Sequence, residues 1–324
     1  MSKIKNIAVL TSGGDAPGMN AGIRAVVRTG IFHGLNVFGV RRGYSGLVSG
    51  DIFPMDAKSV ANIIQRGGTI LKTARSDEFR TTDGRQQAYN HIRSFGIDGL
   101  VVIGGDGTFT GAAKFTEEFD IPVIGMPGTI DNDLAGTDFT IGYDTAINTV
   151  VDAVDKIRDT AESHDRLFVI EVMGRDSGLI ALRSGISVGA EAVLIPELEV
   201  DYNAIMQRLD KSRKSKSSRI VIVAEGDNEG GLVVADKIKA NFPHYDVRVS
   251  ILGHIQRGGK PTCMDRVLAS RLGVAAVEGL IEGRRSEMAG LICGQVQFTS
   301  FSKAIKHIHN INTNLTRIVE ILSL

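Results

Sequence analysis

The run Pro127-Gly128-Thr129-Ile130-Asp131-Asn132-Asp133 carries two carboxylates two residues apart. It follows the apolar segment Ile121 to Gly125, which reads as a buried strand, so the run is expected on a loop at the strand's exit. The carboxyl ends of parallel strands are where open α/β sheets bind ligands. A carboxylate in that place is suited to drawing a proton from a substrate hydroxyl.

Two other loops share this character. Thr11-Ser12-Gly13-Gly14-Asp15-Ala16-Pro17-Gly18-Met19-Asn20 follows the first apolar run. Gly13 and Gly14 admit backbone N–H groups to an anion, and the next helix presents its positive end. Asp15 is expected to cap that helix; a tight turn without a ligand is the plainer alternative. Gly104-Gly105-Asp106-Gly107-Thr108 follows Gly99–Ile103. Glycines on both sides of Asp106 leave its carboxylate beside N–H donors, which fits a phosphate chain with its Mg²⁺. Thr108 is expected to cap the following helix or contact a phosphate. No GxGxxG is present, and Gly253–Pro261 fails the Walker A pattern in spacing and in its Pro.

Arginines extend the pattern. Arg75 lies in a polar loop, while Arg166, Arg175, Arg248 and Arg257 are expected at strand edges or exits. A guanidinium grips phosphate oxygens in a fixed fork. Taken singly, each also reads as a surface or ion-pair arginine, and His254 as a structural histidine. Gly253, Gly258 and Gly259 around His254 favour a substrate loop.

The elements that must position these groups alternate regularly. Ile7–Leu10, Val37–Val40, Gly99–Ile103, Ile121–Gly125, Leu167–Val172, Ala192–Ile195, Ile220–Ala224, Val247–Leu252 and Ala289–Ile292 read as strands. Helical patterns cover Met19–Phe32, Thr108–Phe119, Asp144–Ala161, Tyr202–Ser212, Leu232–Asn241 and Asp265–Ile281. A βα rhythm of this kind predicts parallel sheets covered by helices on both faces. A second series opens after Asp144, which suggests two similar α/β halves. The stretch from Phe298 to Leu324 has the spacing of an amphipathic helix packed on the body. Lys306-His307-Ile308-His309 lacks the carboxylates or cysteines of a metal site and reads as a solvated helix face.

Composition narrows the class. With 324 residues, 43% apolar residues and zero formal charge, the chain suits a soluble protein of two domains or one large α/β unit. Balanced charge argues against a nucleic-acid or membrane-surface partner. Cys263 and Cys293 form no CxxC and read as reduced thiols. The apolar start IAVL is too short for a signal peptide, and no stretch approaches the ~20 residues of a membrane span. A cytoplasmic location is expected.

In order along the chain, TSGGDAPGMN, GGDGT, PGTIDND, MGRDSG and LGHIQRGG resemble the bacterial ATP-dependent 6-phosphofructokinases, over roughly residues 4–295. GGDGT alone also resembles NAD kinases and lipid kinases; PGTIDND and LGHIQRGG exclude those. The resemblance implies two similar Rossmann-like three-layer α/β/α domains with mainly parallel sheets. The ATP-binding domain would be 1–140 plus 255–308, and the sugar-phosphate domain 141–254 plus 309–324. It implies Asp131 as the base for the 1-hydroxyl of fructose 6-phosphate, assisted by Thr129 and Asp133, with Asp106 holding Mg²⁺. Gly14, Tyr44, Arg75, Ser76, Gly105, Asp106, Gly107 and Thr108 would line the ATP site, with Arg75 stabilising the transferring charge. Thr129, Ile130, Asp131, Met173, Gly174, Arg175, Glu225, His254, Ile255, Gln256 and Arg257 would bind the sugar phosphate, and Arg175 would also serve catalysis.

Residues matching Arg166 and Arg248 reach that phosphate from a neighbouring subunit in the family, which implies a homotetramer. ADP or phosphoenolpyruvate would bind an effector site at Arg24, Arg28, Arg158, Gly189, Ala190, Glu191, Lys214 and Lys216. Ala57 or Lys58 stands where a family arginine would, and Ser217-Ser218 departs from a basic stretch, so weakened control is expected. Pyrophosphate-dependent relatives carry Asp and Lys at the positions of Gly107 and Gly128; glycine at both favours ATP. The alternatives are a pyrophosphate-dependent sugar-phosphate kinase and a catalytically silent metabolite-binding regulator, which should lack Asp131, Asp106 or the arginines.

Overall fold

Segments whose every residue is apolar, such as Gly99–Gly104 with all six positions buried, must lie inside a sheet covered on both faces. The computed structural model has that architecture and describes residues 4–164, 166–212, 218–227, 229–305 and 313–322. The chain divides into two compact units, Met1–Thr145 with Arg257–His307, and Ala146–Gln256 with Ile308–Leu324.

In chain order the first unit opens with β1 (Asn6–Thr11), α1 (Met19–Phe32), β2 (Asn36–Val40), α2 (Gly43–Ser49) and β3 (Ile52–Met55). It continues through α3 (Thr82–Ser94), β4 (Gly99–Gly104), α4 (Asp106–Glu118), β5 (Val123–Thr129) and β6 (Ile141–Gly142). Then come α5 (Tyr143–Glu162), β7 (Leu167–Val172), α6 (Leu179–Ser187), β8 (Ala192–Leu194), α7 (Tyr202–Ser212) and β9 (Arg219–Ala224). The remainder is α8 (Gly230–Asn241), β10 (Val247–Ile251), α9 (Cys263–Ile281), β11 (Glu287–Ile292), β12 (Gln295–Ser300), α10 (Phe301–Ala304) and α11 (Thr313–Leu322).

The sheet of the first unit runs β12-β11-β5-β4-β1-β2-β3, with β6 added to the end of β5. Pairing is parallel except at the edges, where β2–β3 and β11–β12 are antiparallel. The second unit has a four-stranded sheet, β10-β7-β9-β8, parallel throughout. Each sheet has its own apolar core, one around Leu10, Val102, Phe109 and Phe301, the other around Val169, Val221, Leu194 and Ile238.

Several expectations need correction. The strand placed at Ile121–Gly125 occupies Val123–Thr129, so Pro127, Gly128 and Thr129 are strand residues and not loop. Pro lacks an N–H, and it sits where β5 changes partners: β11 pairs up to Gly125 and β6 begins at Gly128. The helix expected from Phe298 forms at Phe301–Ala304 and Thr313–Leu322, whereas Phe298–Ser300 completes a hairpin turning at Cys293-Gly294, both at positive φ. That turn lacks the Asn-Gly or Asp-Gly signature. Asp15 does not cap α1; Gly18 holds the cap position. The helices α2, α3 and α6 and the strands β3 and β6 are elements that the expected βα series does not include. Lys214, Lys216 and the 306–309 stretch lie outside the described residues.

Candidate active site

In the first unit, β5, β4 and β1 are consecutive neighbours in parallel register, with Thr11 opposite Ile103 and Gly104 opposite Pro127. Their carboxyl ends therefore stand side by side, and the three chemistry-bearing loops leave the sheet together. Ser12 N–H donates to the Ile103 carbonyl at 3.0 Å, and the Thr108 hydroxyl donates to the Ser12 carbonyl at 3.1 Å. Thr108 thus ties one glycine loop to the other instead of capping α4, whose cap position is Gly105.

Asp106 is the first residue of α4, where the helix dipole favours negative charge and bound anions alike. A Cβ at Gly107 would meet nothing within 4 Å, so the protein itself does not demand glycine there. Gly128 is the opposite case. Its Cβ would approach Ile103 Cγ2 to 2.9 Å and Gly104 N to 3.3 Å. Gly128 is explained by packing alone, and its value as a donor signal falls; Gly107 keeps that value.

Gly14 lies under Arg257, whose Nη1 would stand 2.3 Å from an added Cβ, and whose guanidinium also points to the Asp15 carbonyl at 3.5 Å. Arg257 therefore belongs beside the first glycine loop. Arg75 is exposed, and Ser76 Oγ accepts from Phe79 N–H at 3.2 Å. Tyr44 is only 6% exposed, with its hydroxyl donating to the Thr108 carbonyl at 2.6 Å and its ring stacked on Phe79. Burial pushes its phenol far above the usual range. Tyr44 thus supports the start of α4 from the core.

Asp131 is 7% exposed, and its N–H donates to Thr129 Oγ1 at 3.2 Å. Ile130 is fully buried and Asp133 partly so. Asn132, which the residue types alone did not single out, adopts a left-handed φ of 53°. Its side chain accepts from Thr140 N–H at 2.7 Å and donates to the Asp138 carbonyl at 3.2 Å, closing the loop onto itself. The available signal was that Asn tolerates this conformation better than most residues.

The second unit assembles another group. Met173, Gly174 and Arg175 follow β7, and Glu225 follows its neighbour β9. Glu225 Oε1 accepts from Arg175 N–H at 2.9 Å, holding a residue with φ 55° in a conformation that non-glycine residues seldom take. Gln256 is fully buried, and its Oε1 accepts from Met173 N–H at 2.9 Å, so it braces this loop from within. His254 and Ile255 are exposed beside it.

Arg166 and Arg248 stand at the other end of the same sheet. Both pair with Asp246, Arg166 Nε at 2.7 Å and Arg248 Nε at 2.9 Å. These guanidiniums hold the Asp246 carboxyl below the usual carboxylate range, Arg166 first. Among the remaining expected positions, Arg24 and Arg28 are partly or fully exposed on α1. Arg158 donates to Ser218 Oγ at 3.3 Å and to the Val188 carbonyl, and Gly189 has open space beside it. Ala190 is buried, and Glu191 is wholly buried, accepting from Ile220 N–H at 2.7 Å.

Among the described residues no cluster of three or more His, Cys, Asp or Glu is placed to hold a metal, and no helix is long and apolar enough to cross a membrane.

Comparison with known proteins finds a match to the family described as Phosphofructokinase over residues 6–280. The chain is 55% identical over 326 residues to ATP-dependent 6-phosphofructokinase 2 of Bacteroides thetaiotaomicron, covering 100% of both chains. It is 57% identical over 322 residues to ATP-dependent 6-phosphofructokinase of Cytophaga hutchinsonii, covering 99% of this chain and 98% of that one. A solved phosphofructokinase from Saccharomyces cerevisiae is similar at a TM-score of 0.90 and 38% identity, over 98% of this chain and 48% of the yeast chain.

Proposed function

The chain belongs to the phosphofructokinase family, and from that premise we propose how its residues divide the work. The reaction is ATP-dependent phosphorylation of fructose 6-phosphate, a kinase step of glycolysis that yields fructose 1,6-bisphosphate and ADP. Phosphoryl transfer of this kind needs positioning, a base for the acceptor and positive charge over the moving group.

The unit Met1–Thr145 with Arg257–His307 is the ATP-binding domain, and the other unit binds the sugar phosphate. Asp131 takes the proton of the 1-hydroxyl as it attacks the γ-phosphate; Thr129 and Asp133 orient it. The observation that carries this reading is the adjacency of the β5, β4 and β1 ends, which brings a buried carboxylate beside two glycine loops. Gly14, Gly105, Gly107 and Thr108 line the phosphate path, with Arg75 and Ser76 beside it. Open space at Gly107 supports ATP over pyrophosphate, because an Asp there would take the room of the nucleotide's phosphates.

Mg²⁺ suits this donor set: one carboxylate, Asp106, together with phosphate oxygens and water is its usual company. When bound it neutralises charge on the β- and γ-phosphates.

Met173, Gly174, Arg175, Glu225, His254 and Ile255 meet the sugar phosphate, Gln256 braces them, and Arg257 acts from beside Gly14. Arg166 and Arg248 serve a second copy. Six residues of β7 separate Arg166 from Met173, roughly 20 Å at the usual rise, too far for one protomer's phosphate to meet both ends. A homotetramer accommodates this. The effector site for ADP or phosphoenolpyruvate draws on Arg24, Arg28, Arg158 and Gly189, with Glu191 supporting the backbone beneath. The enzyme is cytoplasmic.

A coupled assay with ATP or pyrophosphate as donor and fructose 6-phosphate as acceptor, repeated with Asp131→Ser, tests the assignment. Full activity in the variant would refute Asp131 as the base, and turnover with pyrophosphate but not ATP would overturn the donor.

A further inference from the structure

Asp265 is 1% exposed near the start of α9, and nothing above gives it a part in the reaction. In a helix start of the form Thr-x-x-Asp, the acid ordinarily turns back to the N–H of the cap residue. Here that N–H, on Thr262, goes instead to the Thr145 hydroxyl at 3.0 Å. The Asp265 carboxylate is aimed at the chain returning from the PGTIDND run. Its Oδ1 accepts from Gly142 N–H at 2.8 Å; its Oδ2 accepts from Thr145 N–H at 2.8 Å and from the Thr145 hydroxyl at 2.5 Å.

Those contacts lead to the catalytic strand within the same unit. Gly142 stands opposite Thr129 in the β5–β6 pairing, and the Thr140 hydroxyl donates to the Thr129 carbonyl at 2.7 Å. Thr129 Oγ1 in turn accepts from Asp131 N–H. Two residues of β6 are too few to hold a register unaided. A buried carboxylate with three donors supplies the missing fixed point.

We propose that Asp265 is a positioning residue for phosphoryl transfer, setting through Gly142 and Thr145 the end of β5 from which Asp131 presents its carboxylate. The inference rests on Asp131 being the base. Burial outweighs the hydrogen bonds and pushes the Asp265 carboxyl up to about 6, with Asp144 adding to the rise. Asp144, at the start of α5 and bonded to the Thr262 hydroxyl at 2.6 Å, is the charged group facing it. β6 and Gly18, which leads into α1, bring no charge. Protonation relieves the cost of the buried charge, but it takes one lone pair from the carboxylate and reverses the Thr145 hydroxyl bond. The strand end is then held differently even as the fold as a whole is favoured.

The test is steady-state kinetics of Asp265→Asn and Thr145→Val from pH 5 to 8, with melting curves and Asp131→Ser as reference. A folded Asp265→Asn should lose about 10- to 100-fold in kcat, the scale of small misplacements, with KM for ATP unchanged. Its kcat profile should also lack the acid limb near pH 6. Thr145→Val should lose about three- to ten-fold in kcat in the same manner, and carries the test if Asp265→Asn does not fold. Parent-like kcat in the folded variant, or losses that only track the folded fraction, overturn the proposal. Turnover retained by Asp131→Ser would strike the base assignment instead.

Discussion

The Thr108 hydroxyl donates to the Ser12 carbonyl at 3.1 Å and joins the two glycine-rich loops across 96 residues of chain. Gly104 is shaped around this bond, since a Cβ there would lie 2.2 Å from Thr108 Oγ1. Thr108→Val leaves the Ser12 carbonyl without that donor and should lower stability by about 1–2 kcal/mol. KM for ATP should rise about five- to ten-fold, with KM for fructose 6-phosphate little changed, because both glycine loops lie in the unit proposed to bind ATP. Kinetics and urea unfolding of the variant check both.

Two glycines should respond in opposite ways. Gly107→Asp enters open space, so the melting temperature should hold while KM for ATP rises at least about ten-fold. Gly128→Ala forces a methyl against Ile103 and the Gly104 backbone and should cost about 1–3 kcal/mol of stability. A Gly107→Asp variant with parent-like ATP kinetics would remove the main support for the nucleotide's placement.

Arg166 is spent on an ion pair with Asp246 that is a quarter exposed on one side and nearly half on the other. Such pairs add little to stability. Arg166→Ala should leave the melting curve nearly unchanged. It should raise KM for fructose 6-phosphate about ten-fold or more, as a lost charge-assisted phosphate contact would. An unchanged KM would argue against its service to a second copy.

Two carboxyls of the first unit should respond oppositely to pH. Glu118 grips Arg85 through two bonds of 2.6 Å, and that guanidinium holds its carboxyl below the usual value. Its stabilisation is present above the unfolded pKa of about 4.3 and is lost as pH falls through the lowered folded value. Asp265 is raised, so its contribution is present below about 3.9 and is lost as pH rises through about 6. Melting curves at pH 4 and pH 7 should show Glu118→Gln losing most at pH 7, by about 3 kcal/mol. Asp265→Asn should compare more favourably with the parent at pH 7 than at pH 4.

Much of the candidate site is legible in the sequence because the proposed chemistry needs particular residue types directly after apolar runs. Asp131, Asp106 and the glycines of both loops follow strands whose continuous hydrophobicity marks them as buried. Less legible were positions where a residue's meaning depends on what faces it. Gly107 and Gly128 look alike in one dimension and differ completely in their surroundings. Arg166 and Arg175 look like equivalent strand-end arginines, but one stands before β7 and the other after it. Tyr44 carried no sign that its ring would stack inward on Phe79.

The sequence by itself determined the βα order, the three loops and the residue types able to move a phosphoryl group, since local spacing and side-chain chemistry suffice for these. The tertiary structure alone decided strand order, and with it that the ends of β1, β4 and β5 lie together. It alone revealed Asp265, whose carboxylate acts on residues 120 and 123 positions away. Local pattern cannot report such contacts, because a hydrogen bond across the fold depends on where distant backbone comes to rest.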